Sequence, residues 1–391
     1  MSYRWVIIMV LAGVVLLGAL LLLPKRKAVE QGRVVSVSEA LGGTPETGFA
    51  RATAPRRFTF PADHGPHPGF RTEWWYFTGN LNTVQGQRFG YQLTFFRVAL
   101  KPEPVARSSR WGANEVFMAH FAVTDLAGKR FHYAERFSRA ALGLASAGGS
   151  PLAVRLEDWS AIETAAEPWS MQLVAREGDV AVDFQLRSIK AVVLNGEGGL
   201  SRKGSEPGNA SYYYSLPRME TSGTIRIGTE TFSVAGLSWL DREWSTSALE
   251  ADQAGWDWFA LQLDDGRDLM FYRLRRSDGS AGPFSSGTLV AVDGTSRHLA
   301  REAVQLAIID WWTSPGSGCR YPSRWRLRVP AEGLDLEIVP RLADQELLAS
   351  VRYWEGAVTV KGIPAGSAGG SGYVEMTGYG ATENQGSDRR P

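Results

Sequence analysis

One segment, from Asp63 to Leu81, constrains the fold more than any other part of the chain. It reads D-H-G-P-H-P-G-F-R-T-E-W-W-Y-F-T-G-N-L and joins a glycine- and proline-rich half to a run of four aromatic residues. Proline supplies no backbone N–H and fixes φ, so the first half can be neither helix interior nor central strand, whereas the aromatic half favours a strand. The sequence therefore predicts a rigid polar loop that leads directly into a β-strand, as at the mouth of a barrel or the rim of a binding site.

The composition favours an all-β protein and argues against a nucleic-acid partner. Aromatic residues make up 11% of the chain, with 14 Trp and 43 Gly, which is typical of sheets lined by large side chains. With 391 residues the chain is long enough for two or three domains. Its 42 basic and 41 acidic residues give a net charge of +1, so no basic field points to nucleic acid.

The N-terminal region predicts a transmembrane helix. Trp5–Leu23 is a run of nineteen apolar residues, which is long enough to span a bilayer. No Ala-x-Ala cleavage site follows, so an uncleaved anchor within residues 1–27 is favoured over a signal peptide. The basic residues at 25–27 oppose export under the positive-inside rule, but a long following domain can override that bias. We therefore expect an inner-membrane anchor with the domains in the periplasm, or secretion if residues 1–27 are cleaved.

A weak internal repeat predicts two barrels in tandem. Short strand-like runs separated by turn signals recur from Phe58 onward, which is the pattern of an antiparallel meander. Trp74–Leu81 aligns with Trp256–Leu263, and each is followed by another aromatic strand that ends in arginine. A chance match of two aromatic strands is the alternative. The predicted organisation is a linker at 28–55, a first barrel-like domain at 56–245, a second at 246–382 and a disordered tail at 383–391.

The aromatic run supplies the first candidate ligand-binding residues. Alternate side chains of a strand share a face, so Trp74 and Tyr76 point the same way and Glu73 lies at the rim. One interpretation makes Glu73 and His67 polar groups over an apolar pocket. In the other, the loop is a plug held by an ion pair between Glu73 and either Arg71 or Arg97.

The corresponding positions of the second copy complete this ligand-binding set. They are Trp256 and Trp258, which align with Trp74 and Tyr76. We therefore expect both copies to contribute aromatic side chains to ligand binding.

A second candidate site lies in Gly236–Ser245, which contains Asp241 and Glu243. These acids are two residues apart, so in an extended segment they project from one face, each close to a tryptophan. A carboxyl group held against indole rings has its charged form disfavoured, so its pKa rises and it can act as a general acid. The alternative is a salt-bridged strand end, in which Arg242 or Arg218 neutralises one of the carboxylates.

A third candidate is the run Tyr212-Tyr213-Tyr214. Tyr212 and Tyr214 share a strand face, where their phenols could orient water or a polar group of a ligand. Three successive tyrosines equally suit an ordinary amphipathic barrel strand.

The sequence contains no signal for a cofactor or a metal. There is no Gly-x-Ser-x-Gly elbow, Walker loop, dinucleotide fingerprint or His-Glu-x-x-His motif. The five histidines have no metal-ligand spacing, and the single cysteine, Cys319, excludes an internal disulfide and a zinc–thiolate cluster. We therefore expect neither a cofactor nor a metal.

Four motifs together resemble one known family. They are F-P-A-D-H-G-P-H-P-G-F-R-T-E-W-W-Y-F-T-G-N-L, Y-Y-Y-S-L-P-R-M, W-L-D-R-E-W and G-W-D-W-F-A-L-Q-L-D-D-G. The region they mark, roughly Phe58 to Tyr379, is similar to the AttH-type proteins, predicted secreted hydrolases that are related to the carotenoid 1,2-hydratases (CrtC). The resemblance implies two tandem lipocalin-like (calycin) antiparallel β-barrels, the first of the CrtC N-terminal type. It also implies export and, for some members, a genetic link to ABC-transporter components.

The resemblance further implies a reaction and the residues that perform it. Carotenoid hydratases protonate an isoprenoid C=C bond and add water to the tertiary cation without a cofactor, and aromatic faces stabilise such a cation. Their catalytic aspartate corresponds to Asp241 and its neighbouring tyrosine to Trp239. Tyr212 and Tyr214 stand where the hydratases carry histidine and tryptophan. These differences leave room for a lipid-like substrate other than a carotenoid.

The sequence leaves two functions open. In the first, the protein is a cofactor-independent hydratase or hydrolase with Asp241 as proton donor, Glu243 beside it, and Tyr212, Tyr214 and Trp239 shaping the pocket. In the second, it is a non-catalytic carrier or accessory factor that hands a lipid or isoprenoid to an ABC transporter. Both predict a hydrophobic small molecule or lipid as the ligand, and both place the protein at a membrane through its N-terminal helix.

Overall fold

The computed structural model describes residues 47–106, 108–246, 249–250 and 252–380. Within these ranges the regular secondary structure is almost entirely antiparallel β-strand, which confirms the all-β prediction. The helices of the described residues are three single 3-10 turns at Ala62–His64, Arg301–Ala303 and Pro330–Glu332, and none is long and apolar enough to cross a membrane. The predicted span Trp5–Leu23, the predicted tail at 383–391 and most of the predicted linker lie outside the described residues.

Thirteen strands form the first sheet. In chain order they are β1 (Thr72–Asn82), β2 (Arg88–Ala99), β3 (Glu115–Asp125), β4 (Arg130–Arg139), β5 (Ala145–Gly148), β6 (Ala153–Leu156), β7 (Trp159–Ala166), β8 (Trp169–Glu177), β9 (Val180–Ser188), β10 (Val193–Leu194), β11 (Leu200–Arg202), β12 (Ala210–Ile227) and β13 (Glu230–Ser245). Their spatial order is β4-β3-β2-β1-β13-β12-β9-β8-β7-β6-β5, with β10 and β11 paired to β12. Arg136 on β4 bonds to Glu177 of β8 at 3.1 Å and lies over the ring of Trp159 on β7, so the sheet curls until its ends approach each other.

Ten strands form the second sheet. They are β14 (Gln253–Leu263), β15 (Asp268–Arg276), β16 (Ser286–Val290), β17 (Ser296–Ala300), β18 (Gln305–Thr313), β19 (Arg320–Val329), β20 (Leu334–Pro340), β21 (Glu346–Leu348), β22 (Arg352–Gly362) and β23 (Gly370–Thr377). Their spatial order is β17-β16-β15-β14-β23-β22-β20-β19-β18, with β21 paired to β22.

The two barrel-like sheets share one arrangement. In each, the first strand pairs with the second strand and with the last one, so that β1 lies between β2 and β13 and β14 lies between β15 and β23. β1 carries Trp74–Leu81 and β14 carries Trp256–Leu263. The two segments that align in the sequence therefore occupy equivalent places in their sheets.

Strand alternation divides β1 and β14 between a core of their own and a space shared by both sheets. Trp75 and Phe77 are buried in the core of the first sheet, and Phe259 is buried in that of the second. The alternate residues, among them Tyr76 and Trp258, pack in a separate cluster that contains side chains from both sheets. An aromatic side chain buries about 150–250 Å², so this shared cluster holds the sheets together while it lines the space between them.

A buried ion cluster also joins the two sheets. Asp268 on β15 is fully buried and accepts hydrogen bonds from Lys190 Nζ at 2.7 Å and Arg218 at 2.8 Å. Lys190 and Arg218 both lie in the part of the polypeptide that forms the first sheet. A buried carboxylate that lost such partners would cost several kcal/mol, so this cluster fixes the position of β12 against β15.

Candidate active site

A cavity lies between the two sheets. The space that the centres of water molecules can occupy in it is about 130 Å³. One water needs about 10–15 Å³ by this measure, so the cavity accommodates several waters or a small organic group. Strands β1, β2, β12 and β13 line one side, and β14, β15, β22 and β23 line the other. Eight aromatic side chains, four carboxyl groups and one lysine are among the lining residues. This mixture of apolar faces and acids is suited to chemistry on an apolar molecule.

Asp241 on β13 is an acid of the cavity whose carboxyl group accepts hydrogen bonds from three neutral donors. Ser215 Oγ and Trp239 Nε1 each donate to Oδ1 at 2.6 Å, and the Tyr213 hydroxyl donates to Oδ2. Trp258 Nε1 in turn donates to the Tyr213 oxygen at 3.1 Å. Since Ser215 lies directly across from Asp241 in the β12–β13 pairing, the sheet itself fixes this geometry.

The environment of Asp241 tunes it to act near neutral pH. Burial raises the pKa of Asp241 to about 7, and the Glu243 carboxylate adds to the rise, while the bonds from Ser215, Tyr213 and Trp239 oppose it. Burial favours the protonated acid before proton transfer, and the three donors stabilise the carboxylate that remains afterwards. A carboxyl group balanced in this way is suited to general acid catalysis.

Two further acids enter the cavity from the second sheet. Burial, together with the charge of the neighbouring Glu375, raises the pKa of Glu355 on β22 well above its ordinary value, and Glu355 accepts a hydrogen bond from the Tyr76 hydroxyl. Burial raises the pKa of Glu375 on β23 to about 8, with the charges of Asp241 and Glu243 adding to the effect, and Trp256 Nε1 donates to it at 3.1 Å. The protonated form of each carboxyl group is therefore favoured.

Lys203 is the cation of the cavity wall. It lies in the loop between β11 and β12, with its Nζ 3.2 Å from Glu243 Oε1 and 4.0 Å from the ring centroid of Tyr272. Burial alone would lower the pKa of Lys203, but the Glu243 carboxylate and Tyr272 keep it above its ordinary value. Lys203 thus neutralises Glu243 and leaves Asp241 to its neutral donors.

The four aromatic residues predicted to bind ligand all lie in the cavity wall. Trp74 and Tyr76 come from β1, and Trp256 and Trp258 come from β14. The rings of Tyr76 and Trp258 meet edge to face, with their centroids 5.0 Å apart and their planes at 82°. Ring faces of this kind can stabilise a cation that forms beside them.

The structure does not bring Tyr212 and Tyr214 to this cavity, and it is Tyr213 that faces Asp241. Tyr212 donates its hydroxyl to the Ala54 carbonyl at 2.9 Å, and Tyr214 lies 2.6 Å from Nδ1 of His64. Both rings pack around Trp244 on the other face of the sheet. The expectation that these two tyrosines share a face is correct, but that face lies away from Asp241.

Glu73 and His67 also lie outside the cavity, in a buried ion cluster. Glu73 is fully buried and contacts Arg97 through Oε1 and Arg242 through Oε2, the latter at 2.6 Å. The His67 ring stacks on Trp244 with a centroid separation of 3.7 Å, and its backbone N–H donates to Glu73 at 3.0 Å. Of the two interpretations of this loop, the plug held by a Glu73–Arg97 pair is the one that the structure contains.

Several cavity residues were not among the predicted site residues. They are Tyr213, Lys203, Tyr272, Tyr353, Glu355 and Glu375. One usable signal exists for the two glutamates, which are single acids inside otherwise apolar or aromatic strand segments, R-Y-W-E-G-A-V and G-Y-V-E-M-T. An acid at such a position is rarely buried without a purpose. Among the described residues, no group of three or more His, Cys, Asp or Glu side chains is arranged to hold a metal ion.

Comparisons with known proteins place this geometry in context. The model of the AttH-like family matches residues 51–379. A Nitrosomonas europaea protein assigned to AttH is 34% identical, with a TM-score of 0.77 over 85% of this chain and 100% of that one. Kievitone hydratase from Nectria haematococca is 17% identical, with a TM-score of 0.62 over 85% of this chain and 96% of that one, and CghA is 13% identical, with 0.51 over 90% and 99%. The last two likenesses concern the fold alone, and no curated protein matches the sequence.

Proposed function

The chain belongs to the AttH-like family, as its motifs predicted, and we propose that it is a cofactor-independent hydratase that adds water to a C=C bond of a prenyl-type molecule. Its two barrel-like sheets fit the lipocalin-like pair of that family. Fold alone does not specify a reaction, so the proposal depends on the cavity. A relative in fold is named a kievitone hydratase, which agrees with a hydration reaction without defining the substrate.

The reaction begins with proton transfer from Asp241. Its carboxyl O–H bond breaks as a C–H bond forms at the less substituted alkene carbon, and the π bond becomes a tertiary cation. Aromatic faces such as those of Tyr76 and Trp258 stabilise that cation, and the Ser215, Tyr213 and Trp239 donors stabilise the aspartate left behind. A water oxygen then bonds to the cationic carbon and releases a proton to a base.

One observation carries the proposal: a carboxyl group with a pKa of about 7 lines an aromatic cavity and bonds only to neutral donors in the described contacts. An acid of that strength is half protonated at neutral pH, and it regains its proton after each turnover. A structural salt bridge would have the opposite character, with a low pKa and a cationic partner.

The carrier function is less well supported by the same contacts. A carrier is favoured if Arg242 or Arg218 neutralises Asp241, but Arg242 bonds to Glu73 and Arg218 bonds to Asp268. An apolar carrier cavity also has no need of a protonatable acid. Transfer of an intact lipid to an ABC transporter is the alternative function, and the experiment below separates it from hydration.

The test is water incorporation by the purified protein. Prenylphenol, geranylacetone and squalene are incubated with the protein in H₂¹⁸O, and products are analysed by mass spectrometry for the addition of one labelled water. We expect labelled tertiary alcohol from at least one probe with the wild-type protein and at least about 100-fold less with Asp241→Asn. Recovery of unchanged probe that co-purifies with the protein would support the carrier, and neither binding nor product would overturn both.

We also propose that the segment at residues 1–27 anchors this activity at the inner membrane, facing the periplasm, where prenyl compounds partition. Protease added to spheroplasts should degrade the protein if this orientation holds. Protection from the protease until the membrane is lysed would contradict it.

A further inference from the structure

A chain of three side chains connects the cavity with the protein surface. Tyr353 on β22 lines the cavity, and its hydroxyl lies 2.7 Å from Nδ1 of His120 on β3. Nε2 of the same imidazole lies 3.0 Å from Oε2 of Glu135 on the edge strand β4. Tyr353 and His120 are buried, whereas Glu135 is partly exposed. The chain therefore crosses from the second sheet to the first and ends at solvent.

The partners of these groups define which atoms donate. Ser350 donates to Glu135 through its backbone N–H at 3.1 Å and its hydroxyl at 2.8 Å. Burial would raise the pKa of Glu135, but the bonds from His120 and Ser350 hold it below its ordinary value. Glu135 is thus a carboxylate that accepts from Nε2–H of His120, which leaves Nδ1 free to accept the Tyr353 O–H. Gln92 Nε2 donates to the phenol oxygen at 3.0 Å, and burial with the charge of Glu355 raises the pKa of Tyr353 well above its ordinary value, so the phenol keeps a proton on its oxygen.

The remaining carboxyl groups of the cavity are poorer proton acceptors. Burial favours the protonated forms of Glu355 and Glu375, and Glu243 is paired with Lys203. A neutral imidazole with a carboxylate behind it is the usual arrangement of a general base. The Tyr353–His120 pair is the part of the cavity wall that has this form.

Building on the proposed hydratase function, we propose that Tyr353, His120 and Glu135 form a relay that accepts the proton of the attacking water. As the water oxygen bonds to the tertiary cation, one water O–H bond breaks and its proton passes to the Tyr353 oxygen. The phenol proton passes to Nδ1 of His120, and the Glu135 carboxylate stabilises the imidazolium. The imidazolium returns its extra proton to solvent while Asp241 takes one up, so atoms and charge balance over a turnover. Tyr353 is then catalytic and Glu135 is a positioning residue.

Deuterium exchange separates the relay from the acid. In D₂O, Asp241 delivers a deuteron to the alkene, and the cation can revert by losing the original proton of that same carbon to the aspartate, which leaves deuterium in the recovered alkene. Only water addition needs the relay. With the probe that wild type hydrates best, Tyr353→Phe should lower water addition by about 100-fold while exchange stays within about threefold of wild type. His120→Gln should behave in the same way, and Asp241→Asn should lose both reactions.

Tyr321→Phe is the matched control. The Tyr321 hydroxyl is buried and lies 2.8 Å from Glu346 Oε1, but its ring packs in the core of the second sheet. This variant should retain both reactions. Hydration at the wild-type rate by Tyr353→Phe would overturn the relay and would mean that Asp241 also accepts the proton of the water. An equal loss of both reactions in Tyr353→Phe, with an unchanged melting temperature, would also overturn the relay.

A second measurement decides the relay without any substrate. In ¹⁵N-histidine-labelled wild type, with the His120 signal assigned by its absence from His120→Gln, the relay requires a neutral ring protonated at Nε2. A proton on Nδ1 would overturn the relay even if none of the probes reacts. Failure of the proposed hydratase function is recognised separately, because wild type would then show neither exchange nor hydration.

Discussion

Asp241 and Glu73 are both buried carboxyl groups on neighbouring strands, yet their surroundings give them opposite properties. Glu73 bonds to the guanidinium groups of Arg97 and Arg242, and Asp241 bonds to a serine, a tyrosine and a tryptophan. Burial would raise the pKa of Glu73, but the two arginines hold it well below its ordinary value, whereas burial raises the pKa of Asp241 to about 7. The charge of the hydrogen-bond partners, more than burial, therefore decides which acid can give up a proton.

The largest expected difference between the two acids is in turnover. Asp241→Asn removes the proton donor but keeps the shape and most bonds of the side chain, so water addition should fall by about 100- to 10,000-fold. Glu73→Gln removes a carboxylate that lies outside the cavity, so its effect should come through stability instead. Rates from the labelled-water assay, with melting temperatures measured in parallel, check both. A Glu73→Gln variant that keeps its stability but loses turnover would contradict the division between the two regions.

Removal of a cation should affect the Glu73 region strongly. Arg242→Met leaves Glu73 short of one partner in a fully buried position, and breaking a buried ion pair typically costs about 3–5 kcal/mol of unfolding free energy. Urea denaturation measures this loss. Arg187→Met is the control, since Arg187 pairs with Glu220 where both side chains are about half exposed, and such a pair contributes about 0–1 kcal/mol. Equal losses in the two variants would mean that Glu73 does not depend on Arg242.

The two acids should also give stability opposite dependences on pH. The folded pKa of Asp241 is above the unfolded value of 3.8, so its contribution is fully present below pH 3.8 and is lost as pH rises towards 7, at up to about 1.4 kcal/mol per pH unit. The folded pKa of Glu73 is below the unfolded value of 4.5, so its contribution is present above pH 4.5 and is lost as pH falls. In urea denaturation between pH 3 and 8, the unfolding free energy of Asp241→Asn should rise relative to that of wild type as pH rises.

Glu73→Gln is the counterpart in that experiment. Its unfolding free energy should lie furthest below that of wild type at neutral pH and approach it in acid. Curves for the two variants that run parallel to each other across the range would contradict opposite pKa shifts at these sites.

The parts of the site that sequence could and could not predict differ for a physical reason. The acid at Asp241 and the aromatic residues of β1 and β14 are visible because composition and two-residue alternation survive in any sheet. The residues of β12 that face Asp241 could not be predicted in the same way, because the register of β12 against β13 depends on one irregularity. A regular hairpin counted back from the Gly228–Thr229 turn would place Leu216 opposite Asp241, and Tyr212 and Tyr214 would then share its face. The structure has a register shift between Leu216 and Met219, and a slip of one residue exchanges the two faces of a strand.

Pro217 is the sequence signal for that shift. It lies within the irregular stretch of β12, and proline inside a sheet is confined largely to edges and bulges because it lacks an N–H. A central strand that contains proline should therefore be counted with an extra residue, which selects Tyr213. Glu355 and Glu375 were harder to place, because their approach to Asp241 depends on how two separate sheets pack, and no local pattern encodes that packing.

The smallest expected difference, between adjacent tyrosines, tests the register directly. Tyr213→Phe removes a donor to the Asp241 carboxylate, and a hydrogen bond to a charged group contributes about 1.5–3 kcal/mol, so turnover should fall at least about 10-fold. Because the lost bond stabilised the aspartate, the pKa of Asp241 should rise further, and the decline of the rate at high pH should move upward. Tyr214→Phe leaves Nδ1 of His64 without its phenol partner, which should lower stability by about 1 kcal/mol and change turnover by less than about threefold. If Tyr214→Phe instead shifts the pH dependence of turnover, the face of β12 that carries the chemistry is the one with His64 and Trp244. The assignment of Tyr213 as the partner of Asp241 would then be wrong.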